Sequence, residues 1–325
     1  MLKSVSDPVR QHYLPVSYLK GFCDPHELRR LKKHILYVYE KGREIRASTP
    51  EAEAYQKHLY TIPLPVDDRF EVEKYLSQVE GDAAPIILKA QSKEYQFSPA
   101  DKNVLSKYIA LMFTRTPALM EYERKHSGPA AEAILKRLAQ DHPDAFSKEW
   151  YAHTKGDQDA PTVEEARKRI LGGYYDQPEH PNTPLASLVY VADMTAKFIE
   201  NFGWQVMHSN RHESFITSDF PVVGAQREGA KMRLGVGFST PNSEFFFPLT
   251  SKTCLRMAAD IQDGPGYLPP RGVRIVNQME MRFAHRRIYA VSHSERIREH
   301  FDHWFGDVRI GENALVPMWE GKHIL

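Results

Sequence analysis

The 325-residue chain contains only two cysteines, Cys23 and Cys254, far apart in sequence. That excludes a disulfide scaffold and a cysteine zinc site. No run of about 18 apolar residues occurs, so no spanning helix and no membrane partner is expected. The opening residues are interrupted by Asp7, Pro8, Arg10 and Gln11 and lack the apolar stretch of a signal peptide, which makes a cytoplasmic protein the expectation. Charge of one sign is also missing: Lys and Arg number 43, Asp and Glu 42, a formal net charge of +1. A dedicated non-specific nucleic-acid binder carries a basic excess, so that class is disfavoured, although a local basic patch is compatible with the balance. There is no nucleophile elbow of the Gly-x-Ser-x-Gly type, no phosphate-binding glycine loop, no internal repeat and no low-complexity tract.

What is present is core material. Hydrophobic residues make up 42% and charged residues 26%, as in a globular chain of one large or two ordinary domains. The densest segment is Gln11-His12-Tyr13-Leu14-Pro15-Val16-Ser17-Tyr18-Leu19-Lys20-Gly21-Phe22, which joins a histidine, a proline, two tyrosines and a phenylalanine. Its rings need a partner surface that no nearby segment supplies, so it is expected to pack on the C-terminal part of the chain.

The run Ile35–Tyr39, turn residues at 40–43 and Glu44–Arg46 predict a hairpin. From Asp67 the period becomes helical through Val72, Leu76, Val79, Ala83 and Ile86, with Asp67 or Asp68 able to cap it and Gly81 and Pro85 predicting a kink or break. The next helix has Ser98 as N-cap, Pro99 in its first turn and Asp101 as first-turn acid. Its apolar face runs from Val104 to Leu119 and Met120, with Pro117 kinking or ending it. Residues 130–175 read as short helices with polar linkers, and Thr183-Pro184 opens a helix to about Phe202.

The last third changes to strands: Gln205–Met207 and Ser214–Thr217 joined by a turn, then Phe245–Phe247 and Cys254–Met257. A helix from about Arg274 to Phe283, a strand at Ile288–Val291 and a Ser294-capped helix to about Phe305 complete it. Strands on short turns with segregated helices predict an α+β fold. A helical middle region packs against a C-terminal antiparallel sheet, with an N-terminal motif and a β-hairpin. The chain reads as one unit of two poorly separable lobes, about 1–203 and 204–325.

The opening segment resembles the signature of a mostly bacterial group, domain-of-unknown-function family 4238, whose members begin His-aromatic-x-Pro-x-x-Tyr-Leu-x-x-Phe. His12, Tyr13, Pro15, Tyr18, Leu19 and Phe22 match it. The resemblance continues through Leu36–Lys41, Tyr60, Glu73 and Glu80, Arg115-Thr116-Pro117, Thr217-Ser218-Asp219 with Pro221, Phe247-Pro248-Leu249 and Asn277. Gln11 departs from it, standing where many members carry a first histidine. The resemblance implies positions and no activity.

The residues themselves suggest chemistry. Arg115 projects to the apolar side of its helix, where a guanidinium needs a carboxylate, carbonyls or an anionic ligand. A buried ion pair or brace is the commoner outcome, and an anion clamp is the functional one. Asp219 ends an apolar strand, as a turn aspartate or as a presented functional group and a partner for Arg115, His12 or a metal. His12 reads as a packing histidine or a general acid-base. Glu73 and Glu80 project within about 20° of each other on one helix flank, a solvated edge or a pair able to hold a divalent metal or divide acid and base roles. Asn277 braces a loop or orients a ligand. His300 with His303, and His208 with His212, lack a third metal ligand.

Two readings follow. In the first the chain is a hydrolase of a phosphodiester or related anionic substrate, with an anionic small molecule or nucleic acid as partner, and a nuclease in bacterial defence is one form of it. His12, Glu80 and Asp219 are then the catalytic candidates, and Arg115, Tyr18, Asn277 and Ser218 hold substrate. In the second the chain is a non-enzymatic binding or scaffold protein, and the same residues form a buried structural network.

Overall fold

The computed structural model describes residues 9–61, 69–123, 136, 139–155, 160–173, 183–210, 212–228, 231–266, 268–269, 271–309 and 314–317. Asp67, Asp68 and most of the linkers expected at 156–161 and 177–184 lie outside them.

Strand β1 (Arg10–His12) leads through Pro15 into a single turn, α1 (Val16–Leu19), and a 3-10 turn that ends at Phe22. Helix α2 (Pro25–Leu31) is capped by Asp24, whose carboxylate accepts from the His26 amide at 2.7 Å. The hairpin forms from β2 (Leu36–Glu40) and β3 (Arg46–Ser48), pairing Tyr37 with Ala47. Its return strand starts later than expected because the connection runs on past Gly42. Strand β4 (Tyr55–Lys57) pairs antiparallel with β1.

Helix α3 (Glu71–Lys89) is unbroken, against expectation. Pro85 lacks the amide that would bond the Gly81 carbonyl, but both residues lie on the exposed face, where water can serve that carbonyl. Helix α4 (Pro99–Thr114) starts at a full capping box of Ser98 and Asp101. It stops at Thr114, and Pro117 opens a separate helix, α5 (117–123), so Leu119 and Met120 belong to a different helix from Val104. Thr116 manages the junction. Its hydroxyl donates to the Phe113 carbonyl at 3.3 Å, the acceptor Pro117 cannot serve, and it accepts from the Leu119 amide at 3.4 Å.

Helices α6 (Pro143–His153) and α7 (Val163–Leu171) share a small core of Ala139, Phe146, Ala166 and Ile170. Helix α8 (Thr183–Asn201) then feeds strand β5 (Gly203–His208). The remaining strands are β6 (Thr217–Ser218), β7 (Val223–Glu228), β8 (Lys231–Leu234), β9 (Ser243–Thr250), β10 (Thr253–Ala258), β11 (Gly264–Pro265), β12 (Arg287–Ala290) and β13 (Ala314–Pro317). Helix α9 (Gly272–Phe283) precedes β12, and α10 (Glu295–Trp304), capped by Ser294, follows it.

The fold is α+β. A seven-stranded sheet has the order β11-β5-β10-β9-β7-β8-β13, antiparallel except where β11 meets β5. A four-stranded sheet, β3-β2-β12-β6, joins strands from both ends of the chain. The expected hairpin of 205–207 with 214–217 does not form. β5 sits in the large sheet and β6 in the small one, and the Ile216 amide is taken by the Asn277 side chain instead of a strand.

The large sheet is covered on both faces, which explains the unbroken apolar run of β9. Phe245, Phe247 and Leu249 pack in one core with α4 and α8, while Phe246 packs in another with Val273, Val276 and Met279 of α9. The N-terminal motif docks on the first of these cores. No helix among the described residues is long and apolar enough to cross a membrane.

Candidate functional site

The sequence candidates fall into three places. The first lies between α3 and α4. Arg115, 1% exposed, donates from Nη1 to Glu80 Oε1 at 2.6 Å. Its Nη2 lies 3.1 Å from Met112 Sδ, its Nε has no acceptor, and its backbone carbonyl accepts from the Tyr60 hydroxyl at 3.2 Å. Asp219, expected as a partner, is elsewhere. Glu73 stands on the flank of the same pair, its carboxyl pushed up by burial and by the Glu80 charge, with Arg115 opposing. His12 borders this network. Burial holds its imidazole below the usual range, against the Glu51 backbone and the Glu80 charge, and its buried Nε2 has no partner.

The second place is a polar seam between β6 and α9. The Ser218 hydroxyl contacts the Phe220 carbonyl at 2.9 Å and Glu280 Oε2 at 2.7 Å, and it accepts from the Phe220 amide at 3.2 Å. One hydroxyl proton cannot serve two acceptors. The arrangement closes when Glu280 carries its own proton and donates to Ser218, which donates to Phe220. Glu280 is 0% exposed, and burial pushes its carboxyl well above the usual range, which keeps that proton on. Asn277 braces the preceding loop, accepting from the Ile216 amide at 3.0 Å and donating to the Ser214 carbonyl at 2.9 Å. Tyr18 is buried, donates to the Pro248 carbonyl at 2.7 Å and lies 2.8 Å from the Thr217 hydroxyl. Its ring stacks on Phe247 at 5.3 Å between centroids. Tyr18, Ser218 and Asn277, expected to hold substrate, are thus committed to the protein's own backbone and side chains.

The third place is open. A cavity of 610 Å³ lies between β4, α5 and the turn entering β12. Tyr13 and Asp219 line it, both largely buried. Asp219 accepts from three consecutive amides, His285 at 2.8 Å, Arg286 at 2.7 Å and Arg287 at 3.2 Å. Burial nevertheless pushes its carboxyl up to about 6, with those amides pulling the other way. The exposed side chains of Lys57, His58, His285 and Arg286 complete the rim. Arg287 is tied to Glu40 at 2.9 Å and Glu53 at 3.2 Å. Lys57 and Arg286 form no ion pair among the described residues. Neither His12, Glu80 nor Arg115 lines this cavity.

A profile described as "Protein of unknown function (DUF4238)" matches residues 10–294. The chain belongs to the DUF4238 family. No curated protein and no solved structure matches it. Some of the residues by which the chain resembles the family meet in local pairs. Tyr18 touches both Thr217 and the Phe247-Pro248 segment, and Glu80 meets Arg115. Gln11 is buried and holds the turn after β4, accepting from the Tyr60 amide at 2.6 Å and donating to Thr61 at 3.2 Å.

Sequence reading missed the cavity's cations. The signal was present as His285-Arg286-Arg287 in front of a strand and Lys57-His58 at the end of another. Among the described residues no three His, Cys, Asp or Glu side chains gather as metal ligands, and Glu80, half of the expected carboxylate pair, is engaged by Arg115.

Proposed function

We propose that this DUF4238 protein binds an anionic, phosphate-bearing ligand in the cavity over Tyr13 and Asp219, and that most of the family's polar signature is the framework around it. What carries the reading is Lys57 and Arg286, two cations on the rim of a ligand-sized cavity with no carboxylate partner among the described residues. His58 and His285 add donors. The scatter of His12, Glu80, Asp219 and Asn277 over separate places supports binding over catalysis by those residues together. Two buried free thiols fit a cytoplasmic setting.

One observation favours the hydrolase reading. Asp219 faces the cavity with its carboxyl raised to about 6, which suits a group that gives and takes a proton near neutral pH. A nuclease acting in bacterial defence is the setting that reading supposes. Calorimetric titration of the purified chain with inorganic pyrophosphate and a mononucleotide tests binding. Heat that disappears in Arg286→Glu is expected, and silence with both ligands sinks the proposal. Release of product from a phosphodiester, abolished in Asp219→Asn, decides for the hydrolase.

A further inference from the structure

A second cavity, of 400 Å³, neighbours the first. The two share Glu121 and His285 as a common wall. The second is lined by Arg309, which is exposed and has no ion pair among the described residues. Cations without an ion pair among the described residues therefore line two neighbouring cavities, Lys57 and Arg286 the first and Arg309 the second. The lining carries two acids, Asp219 and Glu121. The charge of Asp219 is met by three backbone amides. Half-buried rings accompany the cations, Tyr55 in the first cavity and Tyr122 and Phe305 in the second.

A single phosphate needs one of these cations. A ligand that uses all of them must be extended and carry repeated negative charge. Cations set in cavities suit a single strand better than a duplex, whose phosphates lie on the outside of a wide cylinder. Cations spaced along a groove with interleaved aromatic rings are how sequence-tolerant single-strand binders work. The near-neutral net charge of the chain is compatible with a local site, because Lys57, Arg286 and Arg309 lie in these two cavities.

We infer that the ligand is a single-stranded oligonucleotide lying along both cavities, an inference that rests on the anion-binding reading of the first cavity. The test is fluorescence anisotropy with labelled homopolymers of about eight nucleotides, beside a labelled mononucleotide and a duplex of equal length. The oligonucleotide is expected to bind at least about tenfold more tightly than the mononucleotide, with log affinity falling against log salt by about 0.7 per phosphate engaged. Arg309→Glu is expected to weaken the oligonucleotide at least about tenfold while leaving the mononucleotide unchanged, and Arg286→Glu to weaken both. Lys148→Glu, an exposed change on α6, is the charge control and is expected to alter neither. Circular dichroism confirms that each variant is folded.

If the mononucleotide binds through Arg286 but the oligonucleotide gains nothing, or Arg309→Glu leaves its affinity intact, the inference fails and the anion site stands. Equal affinity for the duplex overturns the single-strand assignment. No binding of any probe removes the inference, and the proposed function falls with it when pyrophosphate is silent as well.

Discussion

The Arg115 guanidinium and the Glu80 carboxylate meet at 2.6 Å with unequal access to water, 1% exposed for the first and 26% for the second. That asymmetry sets the cost of breaking the pair from each side. Glu80→Ala strands a buried cation and is expected to cost about 3–5 kcal/mol. Arg115→Met leaves a carboxylate that can turn to solvent and is expected to cost less. Urea denaturation of both variants checks the order, and an Arg115→Met loss equal to or above that of Glu80→Ala would contradict it.

Glu280 makes a sharper case, since its burial and its contact with Ser218 keep it protonated in the fold. Its carboxyl is raised above its unfolded value, so folding takes up a proton as soon as the unfolded group ionises. Stability is then fullest in acid and falls as pH rises through the usual carboxylate range toward the folded value. Glu280→Gln preserves the neutral donor to Ser218 and removes that slope. The variant is expected to lie within about 1 kcal/mol of the parent near pH 4 and to melt higher at pH 8. A lower melting temperature at pH 8 would show that Glu280 folds as the anion.

Much of the architecture was legible because local rules decide it. Ser98-Pro99 and Ser294 capped the helices they were expected to cap, and most strands of the last third form one largely antiparallel sheet. The period-2 split of β9 was hidden, because a strand buried on both faces shows no alternation. Partners of polar residues were not legible either. Glu80 and Asp219 both suit Arg115 by chemistry, and only the packing of α3 on α4 chooses Glu80. The cavity escaped for a related reason: it is assembled from β4, α5 and the turn before β12, which are far apart in sequence.

Tyr18 distinguishes framework from site. Tyr18→Phe keeps the stack on Phe247 but leaves the Pro248 carbonyl and the Thr217 hydroxyl without their buried partner. The expected loss is about 1–3 kcal/mol of stability, read as a lower urea midpoint. Anion binding in the cavity is expected to be unchanged, because Tyr18 does not line it. A folded Tyr18→Phe that no longer binds would return this tyrosine to the site.

The two cysteines are expected to be inert. Cys254 is fully buried and its thiol is held well above the usual range by burial, and Cys23 is pushed up to about 12 by the same cause. Reactive thiols need the thiolate and access, and neither is provided here. Titration with a disulfide reagent is expected to label neither thiol in the native chain and both after denaturation. Rapid native labelling of Cys23 would mean that the 3-10 turn after α1 opens.

Asp219 separates the two functional readings, because its burial and its place in the cavity act on different observables. The carboxyl is raised to about 6 from an ordinary 3.8, so it contributes stability in acid that is lost between about pH 4 and pH 6. Asp219→Asn removes the ionisation, and the difference in stability between pH 4 and pH 7 is expected to shrink. It also removes one negative charge from a cavity proposed to hold an anion. If the cavity only binds, Asp219→Asn is expected to hold pyrophosphate as well as the parent or better. If Asp219 moves a proton during hydrolysis, the variant binds and does not turn over. A variant that folds, keeps the flattened pH profile and loses binding would fit neither account, and would mean that the 285–287 turn needs the anion to hold its cations in place.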